Sequence, residues 1–236
     1  MGRAVGAIGA CICVLAACTQ GPATRDQARA TYAVELHSGV GDPEETAAPV
    51  PGSLPPGRYA PAAFGPKMTF RVGAGWTLTY ENTEELALTI GDPQAPVWVH
   101  FVDVSTETAG VLRVPLQDES AAMGPLEPFP EDYEAWLRTV PYLEVGPRRS
   151  VVLDGAEGFG VDIDLSRLPV GSCLGRPTKC FSPVEQLIFA ADPAAPRLTA
   201  TLLDVDGTRV LIFTDPDRFQ DEVAALLASI RWDVER

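Results

Sequence analysis

The chain reads as an α+β domain, mainly antiparallel sheet with helices packed on its faces, preceded by a disordered N-terminal tether. Three observations predict this. From residue 58 onward, runs of β-branched and aromatic residues dominate. Two Asp-Gly pairs, Asp154-Gly155 and Asp206-Gly207, sit between such runs; they suit the type I′ turn, whose positive φ angles they tolerate, so the flanking strands pair antiparallel. Two stretches with helical spacing interrupt the strands.

Taken in order, residues 18–57 carry too much proline for a packed element. Asp42-Pro43-Glu44-Glu45-Thr46-Ala47-Ala48-Pro49-Val50-Pro51 and then Pro55-Pro56-Gly57 favour extended, solvated backbone. Residues 24–38 show only a weak helical pattern, stopped by Gly39 and Gly41. As a flexible chain this tether spans roughly 35 Å. Glu44 and Glu45 within it are read as solvated.

Residues 58–236 form a single domain, long enough to bury a sizeable core. Strands are expected at 68–72, 77–80, 86–90, 97–105 and 111–114. Val97-Trp98-Val99-His100-Phe101-Val102 is apolar on both faces, which marks a central strand. The Asp-Gly turns join 150–153 to 158–165, and 198–205 to 209–214. A first helix is expected from Pro130 to Thr139, with Glu131 and Asp132 at its positive end and Pro141 past its stop; Tyr133, Trp136 and Leu137 share a face. A second starts at Asp215-Pro216-Asp217 and runs to Ser229, burying Phe219, Val223, Leu226, Leu227 and Ile230.

Charge narrows the function. With 32 acidic against 18 basic residues, a net charge of −14, the surface repels phosphate backbones, so nucleic acid is excluded as a partner. Nor does the chain offer a basic face to anionic lipid. Catalytic motifs are missing: there is no Gly-x-Ser-x-Gly, Ser-x-x-Lys, His-Glu-x-x-His or phosphate-cradling glycine loop, and no cofactor is implied. Of the two histidines, His37 lies in the tether and His100 in the central strand, where a packed core residue is the plainer reading. Asp162 and Asp164 share a strand face, the arrangement that glycosidase-like chemistry with two acids needs; Val161, Ile163 and Leu165 opposite them indicate a half-exposed strand with solvated acids. Asp204-Val205-Asp206-Gly207 fails the register of a calcium loop, because Arg209 stands where that loop needs glycine. Trp76, Trp98, Trp136 and Trp232 are read as core before they are read as a ligand groove.

The N-terminus gives the location. Arg3 and the start amine precede an apolar run from Ala4 to Leu15, too short to span a bilayer, which needs about 20 residues. Leu15-Ala16-Ala17-Cys18 then resembles the lipobox of bacterial lipoprotein precursors. That resemblance implies removal of residues 1–17, lipid on Cys18 and an extracytoplasmic, membrane-anchored mature protein. Cleavage would discard Cys11 and Cys13, leaving Cys173 and Cys180 as a pair in an oxidising compartment, which favours a disulfide. Two cysteines without nearby histidine supply too few ligands for structural zinc. Between them, Arg176 and Lys179 form a small basic spot that is a weak binding candidate for a carboxylate, a phosphate or an acidic partner.

Thr69-Phe70-Arg71-Val72-Gly73-Ala74-Gly75-Trp76 and Val223-Ala224-Ala225-Leu226-Leu227-Ala228-Ser229-Ile230-Arg231-Trp232 resemble the opening and closing motifs of PsbP-like domains. The resemblance implies an antiparallel sheet sandwiched by helices and a binding or accessory role, and it transfers no catalytic residue. The expected function is a lipid-anchored envelope lipoprotein that binds a small ligand or protein partner without catalysis. An assembly factor of a membrane complex and an envelope hydrolase using Asp162 and Asp164 are the alternatives.

Overall fold

In the computed structural model the described residues are 46–47, 51–106, 109–111, 127–168, 179–184, 187–191 and 196–233. The strands are β1 (Thr46–Ala47), β2 (Gly52–Ser53), β3 (Gly57–Tyr59), β4 (Met68–Val72), β5 (Trp76–Glu81), β6 (Glu85–Ile90), β7 (Val97–Asp103), β8 (Gly110–Val111) and β9 (Glu127–Pro128). After helix α1 (Tyr133–Thr139) come β10 (Glu144–Val145), β11 (Arg149–Leu153), β12 (Ala156–Asp164), β13 (Lys179–Val184), β14 (Leu187–Ala191), β15 (Arg197–Val205) and β16 (Thr208–Thr214). Helix α2 (Gln220–Ser229) and β17 (Arg231–Trp232) close the chain. The protein is α+β and mostly antiparallel sheet, as the sequence predicts.

A nine-stranded sheet dominates, in the order β10-β12-β15-β16-β7-β6-β5-β2, with β11 also paired to β12. Every pair in it is antiparallel. Both Asp-Gly turns form as expected: Asp154 and Gly155 lie at φ 48° and 86°, and Asp206 and Gly207 at 52° and 82°. The doubly apolar run becomes β7, inside the sheet between β16 and β6.

Strand alternation divides the core in two. On the first face, Leu86, Leu88 and Ile90 of β6, Val97, Val99 and Phe101 of β7, and Val210 and Ile212 of β16 join one apolar cluster. The same cluster takes in Met68, Phe70 and Val72 of β4, Trp232, and Val223 and Leu226 of α2. Helix α2 packs on β4 of a four-stranded sheet, β1-β3-β4-β17, and this sheet and α2 share the apolar cluster of the first face. On the second face, Leu211 and Phe213, Ala200 and Leu202, and Phe159, Val161 and Ile163 form the other cluster with Tyr133, Trp136 and Leu137 of α1. Fully burying an aliphatic side chain of this size contributes about 1.5 to 3 kcal/mol.

Several element ends differ from expectation: β7 stops at Asp103 and not at 105, positions 112–114 of the strand expected at 111–114 lie outside the described residues, and three further differences have a visible cause. Sheet pairing begins before residue 58: β2 pairs β5, the Leu54 N–H donates to the Trp76 carbonyl at 2.8 Å, and Leu54 is buried. Helix α1 starts at Tyr133 because Asp132 is its cap, accepting the Ala135 N–H at 2.9 Å. Helix α2 starts at Gln220, not at Asp215. The Asp215 carboxylate is spent on a turn, accepting the N–H groups of Asp217 and Arg218 and the Arg218 guanidinium, so it caps no helix. Phe219 stands at left-handed φ 51° at the helix entry; it is 40% exposed and not part of the buried stripe.

Candidate functional site

Cys18, Cys173 and Arg176 lie outside the described residues. Lys179 and Cys180 open β13, with Lys179 paired to Ala191 and Cys180 to Ala190 across to β14. Of the binding candidates only Lys179 is thus placed, and of the disulfide candidates only Cys180, each by its backbone.

His100 emerges as the centre of a polar strip on the second face. In the β6–β7 ladder Glu85 pairs Val102 and Ala87 pairs His100, which makes Glu85 and His100 diagonal neighbours on one face. His100 Nδ1 and Glu85 Oε1 are 2.9 Å apart at 5% and 7% residue exposure. With Glu85 ionised, Nδ1 carries the hydrogen and donates it. The Trp98 ring stacks on the imidazole, centroids 5.2 Å apart, and Thr79 and Thr89 link hydroxyls at 3.2 Å beside them. A carboxylate that orients an imidazole is the supporting half of a general base. This one is walled in by its neighbours, and its exposure gives a dissolved substrate no approach. Chemically it is a buried polar pair that ties β6 to β7.

Asp162 and Asp164 do share a face of β12, with Phe159, Val161 and Ile163 buried on the other. Their surroundings go beyond simple solvation. Arg149 of β11 donates Nη1 to Asp162 Oδ2 at 2.5 Å and Nη2 to Oδ1 at 2.9 Å, and the Thr199 hydroxyl donates to Oδ1 at 2.7 Å. The hydrogen bond from Arg149, aided by Thr199, holds the Asp162 carboxyl below its ordinary range. Asp164 is lowered too, chiefly by Ser166, whose N–H donates to it at 2.7 Å. Hydrolysis of a glycoside by two carboxyl groups needs one with a raised pKa to protonate the leaving group. Both are pushed the wrong way. They border an open groove of about 550 Å³ with Glu144, Val145, Gly146 and Arg197, and Arg197 is itself paired to Asp217.

The tryptophans are core or lean on it: Trp76, Trp136 and Trp232 are buried. Phe129, Tyr133 and Trp136 stack in series at 4.9 and 5.6 Å between centroids, with the Arg209 guanidinium over Phe129 at 4.8 Å. Burial raises the Tyr133 hydroxyl far above the usual phenol range. Among the described residues its oxygen and the Trp136 and Trp98 indole nitrogens find no hydrogen-bond partner.

Two relationships escape a linear reading of the sequence, the Glu85–His100 and Arg149–Asp162 pairs. Each joins residues on different strands through a diagonal, so register decides it. The one available signal is a charged or ionisable residue inside an apolar strand, Glu85 and His100, which demands a partner. No protein-family model matches the chain, and no curated protein matches it.

Proposed function

We propose that the mature protein is a lipid-anchored, extracytoplasmic envelope domain that binds a partner and performs no chemistry on it. The observation that carries the non-catalytic part of this reading is the commitment of Asp162: both of its oxygens are occupied by Arg149 and Thr199, and its pKa and that of Asp164 are lowered, so the carboxylate pair has no acid to offer. The location rests on the Arg3 to Cys18 leader pattern and the proline-rich tether behind it.

The PsbP-like resemblance gains support from geometry. The two stretches that carry it meet in space: Arg231 pairs Thr69 and Trp232 pairs Met68, while Ser229 Oγ accepts the Arg71 N–H at 2.8 Å. Opening and closing motifs thus form one unit, whose role in this reading is to hold the domain shut.

Native mass spectrometry tests the proposal, on the domain released from its own membranes by cleavage within the tether. A reproducible added mass or a defined assembly is expected. An enzymatic activity abolished by alanine at both Asp162 and Asp164, with the fold retained, would overturn it.

A further inference from the structure

We infer that β11 is a docking edge at which a second copy of this chain pairs, β11 against β11, extending the nine-stranded sheet across a two-fold axis at Val151.

The hairpin fixes which backbone groups are available. Leu153 and Ala156 flank the two-residue Asp154-Gly155 turn and are ladder partners, followed by Val151 with Gly158 and Arg149 with Gly160. In a two-residue hairpin the closing pair exchanges its hydrogen bonds, and the bonding pairs alternate along the ladder. The odd-numbered residues of β11 therefore bond to β12, and the N–H and C=O groups of Ser150 and Val152 point away from the sheet. Among the described residues no bond reaches them. Val152 is also the most exposed large apolar side chain among the described residues, at 61%.

Protein sheets ordinarily guard such an edge with proline, lysine, a bulge or a very short strand. The opposite edge of this sheet follows that rule: β2 has two residues, and β5 beside it is bulged between Leu78 and Tyr80. Strand β11 runs Arg-Ser-Val-Val-Leu in unbroken register, and its one charge, Arg149, is folded back onto Asp162. The unguarded edge is a template for another strand.

Self-pairing fits this strand better than a foreign one, for two reasons. Charge runs from basic to acidic along it, from Arg148, exposed and 3.5 Å from Glu134, to Asp154, which also lies 3.7 Å from Arg231 and accepts the Trp232 N–H at 2.8 Å. An antiparallel second copy sets each basic end beside the acidic end of its mate, and about Val151 it places Ser150 opposite Val152 of the second copy twice over. Four backbone hydrogen bonds result from one isologous contact. The second reason is where the chain enters the domain. Strands joined antiparallel in one sheet are related by an axis normal to it, so both copies present the same face to the same side. The entry strands β1 and β3 belong to the small sheet that shares the apolar cluster of the first face. Both tethers then leave on one side, toward one membrane. The concentrating effect of that membrane rests on the anchored reading above; the edge itself does not.

Cysteine at Val151 in the full chain tests the pairing. Residues facing each other across the axis in a non-bonded pair have Cα atoms about 4.5 Å apart, within disulfide reach. Under mild oxidation V151C should give a disulfide dimer absent from the unmodified chain. Ser150→Cys alone should not, but mixed with Val152→Cys it should. Val152→Pro removes an outward N–H that β12 does not use, so in the otherwise native chain it should convert a dimer seen by sedimentation in micelles to monomer. A V151C chain of unchanged circular dichroism and no added dimer would overturn the proposal, as would a native chain that stays monomeric at high concentration. On membranes, Cys18→Ala in the V151C chain should lower the dimer yield; an equal yield keeps the edge and removes the anchored reading.

Discussion

Arg149 holds Asp162 through both carboxylate oxygens, from β11 across to β12, at 2.5 and 2.9 Å. It is the contact that turns a plausible catalytic carboxylate into a structural one. The two side chains are 49% and 37% exposed, so solvent screens the pair and its contribution is about 1 kcal/mol or less. Because the folded pKa of Asp162 is lowered, this stability is present above the unfolded value, about 3.9, and is lost as pH falls through the folded one. Asp162→Asn should therefore unfold at lower urea than the native chain at pH 7, and the difference should shrink below about pH 4.

The Glu85–His100 pair carries more, since it is buried. Replacing Glu85 by leucine strands the His100 Nδ1 in the core at a cost of about 1 to 3 kcal/mol. In a double-mutant cycle with His100→Phe, urea unfolding should return a coupling of about 1 kcal/mol or more. Strictly additive effects would show that the pair is not coupled.

Gly158 pairs Leu203 in the β12–β15 ladder, at a point with no room for a side chain. A Cβ built there would stand 1.9 Å from the Leu202 carbonyl oxygen, an atom of the neighbouring backbone. Gly158→Ala should cost about 3 kcal/mol, read as a fall in thermal midpoint. At the turn glycine Gly155 nothing lies within 4 Å and only its φ of 86° matters, so Gly155→Asn should cost about 1 kcal/mol or less.

How far the sequence reaches is shown by these same residues. Asp154-Gly155 and Asp206-Gly207 announce their hairpins because turn geometry is local, and residues 97–102 announce a central strand because burial on both faces needs apolar residues at every position. The entry to α2 was hidden. Asp215-Pro216 has the composition of a helix start, but the Asp215 carboxylate is claimed by Arg218 and two amides, a competition that composition does not rank. Arg149 with Asp162, and Glu85 with His100, depend on strand register, which sequence spacing leaves open between distant strands. The free edge of β11 is likewise a property of sheet order.

The remaining cysteines give a covalent prediction. Under the export reading Cys173 and Cys180 form a disulfide, so intact mass after alkylation should show no label at either until reductant is added. Reduction should lower stability by about 2 to 3 kcal/mol on the loop-entropy account. Two freely alkylated thiols in protein taken from the envelope would contradict this.

The anchored reading is tested most directly by the intact mass of the chain recovered from the membranes of a bacterial host that exports it. A chain that begins at Cys18 and carries the added mass of lipid, and that moves to the soluble fraction when Cys18 is replaced by alanine, is the predicted result. A soluble chain that retains Met1 and an unmodified Cys18 would contradict it.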